Sequence, residues 1–288
     1  HEYRRELRGL RVFAEWINHF DTKQQNSLDV LVTTDDGHQY VRHYLIDFAS
    51  TLGTSGAENF PKFNHEYGID LPASLHRLMT LGFHQDAWIT MPWPDHLDEV
   101  GYFHSRGFDP REWVPIYPNS AFANLTTRDA YWAAKIVSAF TDDDIRVMVE
   151  QGRYQDPRAV DWLVTHLGRR RDVIARTWFD AIAPLDFWVW RADGLHGRDL
   201  GHERGIYPDT QPRYRARHRL VDHARRGDGG WSPWRPLTAL HLPPPAGFGA
   251  RDDRFLAVQF QVDRGEGWQD PVTVHVGPRT RRVVAVDR

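Results

Sequence analysis

The segment NHFDTKQQN, residues 18–26, sets His19, Asp21, Lys23 and Asn26 within one polar stretch, and YLIDFASTLG, residues 44–53, ends an apolar run on Asp47 and Phe48. Two carboxylates, an amide and an ammonium in this combination suit chemistry on a phosphate. Phosphoryl transfer needs a carboxylate to orient the attacking hydroxyl and take its proton, and Asp21 is the candidate. Charge on the phosphates must be offset by Mg2+, which takes hard oxygen ligands; the Asp47 carboxylate and the Asn26 amide oxygen can supply them. Lys23 is long enough to reach the moving phosphoryl group. The plainer alternative is that Asp21 and Asn26 only cap turns, as these residue types often do.

The elements around these residues follow from periodicity. Leu7, Leu10, Phe13, Ala14 and Ile17 recur at three- and four-residue steps and predict a helix ending near Ile17. LDVLV and YVRHYLIDF read as two strands joined through TTDDGHQ, where Asp-Gly signals a hairpin turn. The glycine-rich ASTLGTSGAENFPK reads as a mobile loop, and residues 59–124 as irregular chain with one helix over 72–83. Three helices follow: RDAYWAAKIVSAF capped by Thr127, IRVMVEQG behind a Thr141/Asp144 capping box, and a long helix opened by Asp156-Pro157. Beyond Pro184 the texture changes to short alternating runs, which predict a small β sandwich from about residue 206.

The fold expected is therefore α+β: a mainly helical lobe with a β hairpin over residues 1–205, then a β-rich appended domain over 206–288. A net charge of −3 gives no general attraction for nucleic acid, and no stretch approaches the ~20 apolar residues of a membrane span, which implies a soluble segment. With no Cys, disulfides and zinc-thiolate sites are excluded. The start at His1, so close to a helix, reads as the later part of a longer protein.

Other motifs have plainer readings. Trp231 and Trp234 in GGWSPWRPL resemble thrombospondin-type modules, but those rely on disulfides, so packing on a strand is expected. Arg213, Arg215, Arg217 and Arg219 alternate along one strand and read as a solvated face, with an acidic partner or nucleic acid as the alternative; GRRRD at 168–172 reads as the exposed side of its helix. The 16 His residues raise a metal question. HGRDLGHE (His196, Asp199, His202) and DHLDEVGYFH (Asp95, His96, Asp98, His104) hold mixed ligands, without the helical spacing of a dedicated zinc site. No P-loop or nucleophile elbow is present.

The order His19-x-Asp21-x-Lys23-x-x-Asn26, hairpin, Asp47-Phe48-Ala49 resembles the protein-kinase catalytic loop followed by its Asp-Phe-Gly turn. RHYLIDFASTLG, YPNSAF, RDAYWAAKIV, FTDDDIR and YQDPRAVDWLVTHLGRRRDVI look like a group of large bacterial proteins of kinase-like fold, and more distantly like atypical kinases of the HipA and spore-coat CotH kind. The resemblance implies the C-terminal lobe of an ATP- and Mg2+-dependent phosphotransferase. His19 would hold the loop on the cofactor side, and Phe48 would pack against it. It also implies an upstream N-terminal lobe, or another chain, that completes the cleft, and an exported or periplasmic location. Two positions depart from the pattern: Ala49 replaces the conformationally free Gly, and Phe20 replaces the Arg that pairs with an activation-loop phosphate. The second reading is accordingly an inactive pseudokinase or a structural subunit of a larger assembly.

Overall fold

The computed structural model describes residues 2–55, 58–59, 67–84, 97–222, 230–248 and 253–288. It is an α+β protein that divides into two compact units, residues 1–174 and 175–288.

In the first unit, α1 (Arg5–Ile17) packs its apolar stripe against α3 (Ser120–Ala123) and α4 (Thr127–Val137). Val12, Ala14 and Trp16 are buried, as are Ala130, Ala133, Ala134 and Val137 opposite them. Small residues let the helices approach: a Cβ on Gly9 would lie 2.9 Å from the Trp132 ring. Arg8 adds a forked ion pair to Asp129, at 2.6 and 3.0 Å. α1 stops because Asn18 turns left-handed (φ 54°), and the His19 N–H returns to the Ala14 carbonyl at 2.8 Å. The hairpin pairs β1 (Ser27–Thr33) with β2 (Gln39–Leu45), Leu31 opposite Val41. The loop after it holds two-residue strands, β3 (Thr54–Ser55) and β4 (Glu58–Asn59); residues 56–57 and 60–62 of the expected mobile loop lie outside the described residues.

The irregular stretch carries α2 (Leu71–Met79), close to the expected 72–83. The capping box of α4 is Thr126 with Asp129, one residue before the expected Thr127. That of α5 (Asp142–Glu150) is Thr141 with Asp144, as read. The long helix α6 (Pro157–Ala181) begins at its Pro, and its residues fall on both sides of the division between units.

The second unit is built on antiparallel sheets. One has the order β12-β11-β10-β7-β8 and uses β7 (Arg213–Val221), β8 (Arg235–Leu237), β10 (Phe255–Asp263), β11 (Val272–Val276) and β12 (Val283–Asp287). The other has the order β5-β6-β9, from β5 (Leu185–Arg191), β6 (Gly194–Asp199) and β9 (His241–Leu242); a short α7 (Leu200–Glu203) follows β6. Leu185, Trp188 and Leu195 from the smaller sheet share one core with Leu256, Val258, Phe260, Val272 and Val274 from the larger. That shared core makes the region sandwich-like. It also joins residues 185–199 to the β unit, whereas the sequence reading drew its line at 205/206.

The opposite face of the larger sheet corrects one expectation. Arg213 of β7 is exposed, as expected of a solvated row, whereas Arg215, Arg217 and Arg219 are half-buried. The four interleave with three indoles in the order Arg219, Trp231, Arg217, Trp234, Arg215, Trp268, Arg213, with guanidinium-to-ring distances of 4.6, 5.0, 4.5, 4.6, 4.2 and 5.8 Å. Strand pairing puts Gln259 and Gln261 opposite Arg217 and Arg215, and their side-chain oxygens accept from those guanidiniums at 2.7 and 2.8 Å. Arg213 closes the row on Asp263. Each indole thus offers both faces to cations, which stabilises an array of four like charges.

Candidate functional site

The loop between α1 and β1 is held from inside. Phe20 is buried and its carbonyl accepts the Ile116 N–H at 2.7 Å, so its side chain is a core member. The Asn119 amide donates to the Thr22 carbonyl at 2.9 Å, and the Thr22 hydroxyl donates to the His19 carbonyl. These bonds fix the backbone so that Asp21 and Lys23 reach outward. Asn26 closes the loop: its side-chain N–H donates to the Asp21 carbonyl at 2.8 Å, and its own carbonyl accepts the Ile46 N–H at 3.0 Å. Asn26 is buried, and the nitrogen end of its amide is committed to Asp21, so its oxygen is the end that can accept or ligate.

His19 joins the two halves of the constellation. Its ring is fully buried, Nε2 lies 3.0 Å from the Asp47 carbonyl oxygen, and the ring stacks on Phe48 at 5.3 Å with an interplanar angle of 19°. Burial holds the imidazole below its ordinary pKa, against the Asp47 carbonyl and the charges of Asp21 and Asp47. The ring is therefore neutral at physiological pH and donates from Nε2. The segment past Asp47 is tied down a second time where the Leu52 N–H meets the Ile17 carbonyl at 2.9 Å.

The six residues singled out in the sequence thus fall in one neighbourhood. Lys23 reaches both Asp21 carboxylate oxygens, at 2.9 and 3.1 Å, and this bond is the main reason its pKa is raised; Asp47 and Tyr117 add smaller electrostatic contributions. Asp47 and Phe48 are exposed beyond the end of β2. The left-handed backbone falls on Asp47 (φ 62°) and Leu52 (φ 51°), not on residue 49, so Ala49 carries no strain and its loss of glycine freedom is immaterial.

Beside Lys23 opens a cleft of about 280 Å³ lined by Leu7 and Leu10 of α1, Asp29 and His43 of the hairpin, and Phe122. Lys23 is its link to the constellation; Asp21, Asn26 and Asp47 do not line it. Asp29 and His43 face each other across the strands, 2.6 Å apart.

The two metal motifs proposed from sequence are not assembled as expected. Asp199 is committed to Arg264, at 2.6 and 2.7 Å, and to the Tyr214 hydroxyl at 2.9 Å. His196 instead meets Asp193 and His241, neither of which the sequence reading named. Asp95 and His96 lie outside the described residues, and the His104 ring lies against that of His166, centroids 4.1 Å apart and tilted by 39°. GRRRD is also corrected. Arg170 is fully buried, donating to the Glu15 and His104 carbonyls at 2.5 and 3.0 Å and lying 3.9 Å over the Phe108 ring. Burial pulls its pKa down to about 9, against the charge of Glu15.

Comparison with known proteins finds no matching family model, no matching curated protein and no matching solved structure. Among the described residues, no helix is long and apolar enough to cross a membrane.

Proposed function

We propose that residues 18–48 form the phosphate-handling part of a kinase-like phosphotransferase lobe dependent on ATP and Mg2+. One observation carries the reading: the buried His19 bonds the Asp47 carbonyl and stacks on Phe48, so the loop bearing Asp21 and Lys23 and the strand end bearing Asp47 are held as one unit. Bound Mg2+ supplies charge neutralisation of the phosphates. The donor set fits it, because an exposed Asp47 carboxylate and an Asn26 amide with its oxygen end available are hard oxygen ligands.

Asp21 would orient the acceptor hydroxyl and take its proton as the new oxygen–phosphorus bond forms and the bond from the γ-phosphorus to the bridging oxygen of ATP breaks, with ADP leaving. Until then Lys23 holds both Asp21 carboxylate oxygens. A phosphate arriving nearby competes for the ammonium, and Lys23 turns from the carboxylate to the transferring group, which frees Asp21 to act as base. Such a lobe works with a nucleotide-holding lobe, from the same or another chain, to complete the cleft.

A second reading has its own support. The bidentate hold of Lys23 on Asp21 occupies both oxygens of the base, as suits a pseudokinase or a structural subunit of a larger assembly. Thermal unfolding with ATP and Mg2+ or Mn2+ separates the two. Nucleotide at a hundred times its dissociation constant stabilises by about 2.7 kcal/mol, and the active reading expects that shift to vanish in Asp47→Ala. With the nucleotide-holding lobe supplied, a shift that survives Asp47→Ala, or none at millimolar ATP, rejects the catalytic assignment.

A further inference from the structure

The second unit brings together three side chains that phosphoryl transfer does not use. Asp193 sits in the turn between β5 and β6, His196 on β6 and His241 on β9. His196 and His241 are register partners on adjacent strands, so both imidazoles project from the same face. Their rings are nearly parallel, at 15°, with centroids 4.3 Å apart. His196 Nε2 lies 2.8 Å from one Asp193 carboxylate oxygen, and His241 Nε2 lies 3.7 Å from the other. One ligand atom from each of the three residues falls within 4.8 Å of the others.

From this arrangement we infer a binding site for a divalent transition metal of the zinc class, held by Nε2 of His196, Nε2 of His241 and a carboxylate oxygen of Asp193. A tetrahedral ion with bonds of ~2.0–2.1 Å separates its ligand atoms by ~3.3 Å; each imidazole Nε2 stands near that spacing from its own Asp193 oxygen, 2.8 Å from Oδ1 for His196 and 3.7 Å from Oδ2 for His241. Small rotations of the side chains admit the ion without movement of the strands. Two nitrogens and one oxygen favour Zn2+, Ni2+ or Cu2+ over Mg2+ or Ca2+, which seek all-oxygen shells.

The backbone organises the site before any ion arrives. Gly194 has φ 134° and packs so closely on the Leu242 carbonyl that no Cβ fits. This contact holds the turn against β9, where His241 Nε2 lies 3.1 Å from the Asp193 carbonyl oxygen, a contact that a bound ion would replace. Asp193 is exposed and the two imidazoles are half-buried, so the fourth coordination position opens to water or to a further ligand.

The test uses the untagged full-length chain, stripped with a chelator and titrated with ZnCl2 by calorimetry, with Co2+ as a spectroscopic probe. One equivalent is expected, with the visible absorption of tetrahedral Co2+. Binding should weaken at least tenfold in H196A, in H241A and in the near-isosteric D193N, and remain unchanged in H202A. Affinity should fall as the pH is lowered, because protons compete with the ion for its ligand atoms. D193N keeps the turn's shape, so retained near-ultraviolet dichroism shows that its loss of binding is not unfolding. Binding by an H196A/H241A double variant as tight as that of the parent, or zinc spread over many weak sites as an adventitious ion only, overturns the inference.

Discussion

His19 gives the sharpest test of how the candidate site is held. His19→Phe keeps the ring's volume and its stack on Phe48 but deletes the donor to the Asp47 carbonyl. Because Asp47 is exposed, water can replace that donor, and the net cost is that of one ordinary hydrogen bond, about 1 kcal/mol. His19→Ala also removes a fully buried ring and leaves a cavity, so the total rises to roughly 3 kcal/mol. Urea unfolding followed by circular dichroism measures both. Hydrogen exchange localises the effect: the Ile46 and Leu52 amides, bonded to the Asn26 and Ile17 carbonyls, bracket the anchored segment. Loss of about 1.4 kcal/mol of local stability speeds their exchange tenfold. If His19→Ala unfolds within 0.5 kcal/mol of the parent, a shift no larger than about that of a neutral surface substitution, or if both amides keep their protection, the claim that His19 clamps the strand end is wrong.

Two further outcomes follow from the packing. His166 is buried and its pKa is pulled down to about 3, first by burial and then by His104, Arg169 and Arg170; His19, His104 and His218 are lowered too, chiefly by burial. These rings stay neutral in the fold while the unfolded chain takes up protons near pH ~6.5, so stability is intact above that pH and falls below it. Between about pH 7.5 and 5.5 His166 contributes roughly 1 kcal/mol of the loss, and H166Q should flatten the denaturation midpoint against pH; an unchanged slope refutes the assignment. In the Arg–Trp row, Trp234 is held between Arg215 and Arg217. A double-mutant cycle of R217M and W234L should give a coupling of about 0.5–1 kcal/mol, and zero coupling means the row is only stacked surface.

The sequence carried the parts of this molecule whose signal is local. α1, the hairpin, the α5 capping box and the Pro-initiated α6 each follow from spacing over a few residues. So did the pairing of the His19 loop with Asp47 and Phe48, because the order of residue types along the chain resembles a known arrangement. What escaped depends on partners distant in the chain. β5 was not read as a strand because its alternation is broken: the register shifts between Asp186 and Val189, and Phe187 takes φ 52°. Arg170 looked solvated inside a run of three arginines, although it shares the three- and four-residue spacing of Leu163, Leu167 and Ile174, all buried. That periodicity was the signal to follow. The Trp231/Trp234 motif and the β7 arginines were each noticed, but only strand pairing shows that one fills the gaps of the other. His241 could not be joined to His196 without the register of β6 and β9.

The central claim, that Asp21, Asn26 and Asp47 surround one cation, is tested most directly by Mn2+ titration in the presence of ATP with the backbone resonances assigned. The account predicts paramagnetic broadening centred on residues 21, 26 and 47, abolished in Asp47→Asn and unaffected in the H196A/H241A double variant. Broadening that leaves those three resonances sharp, or that persists around them in Asp47→Asn, would contradict it.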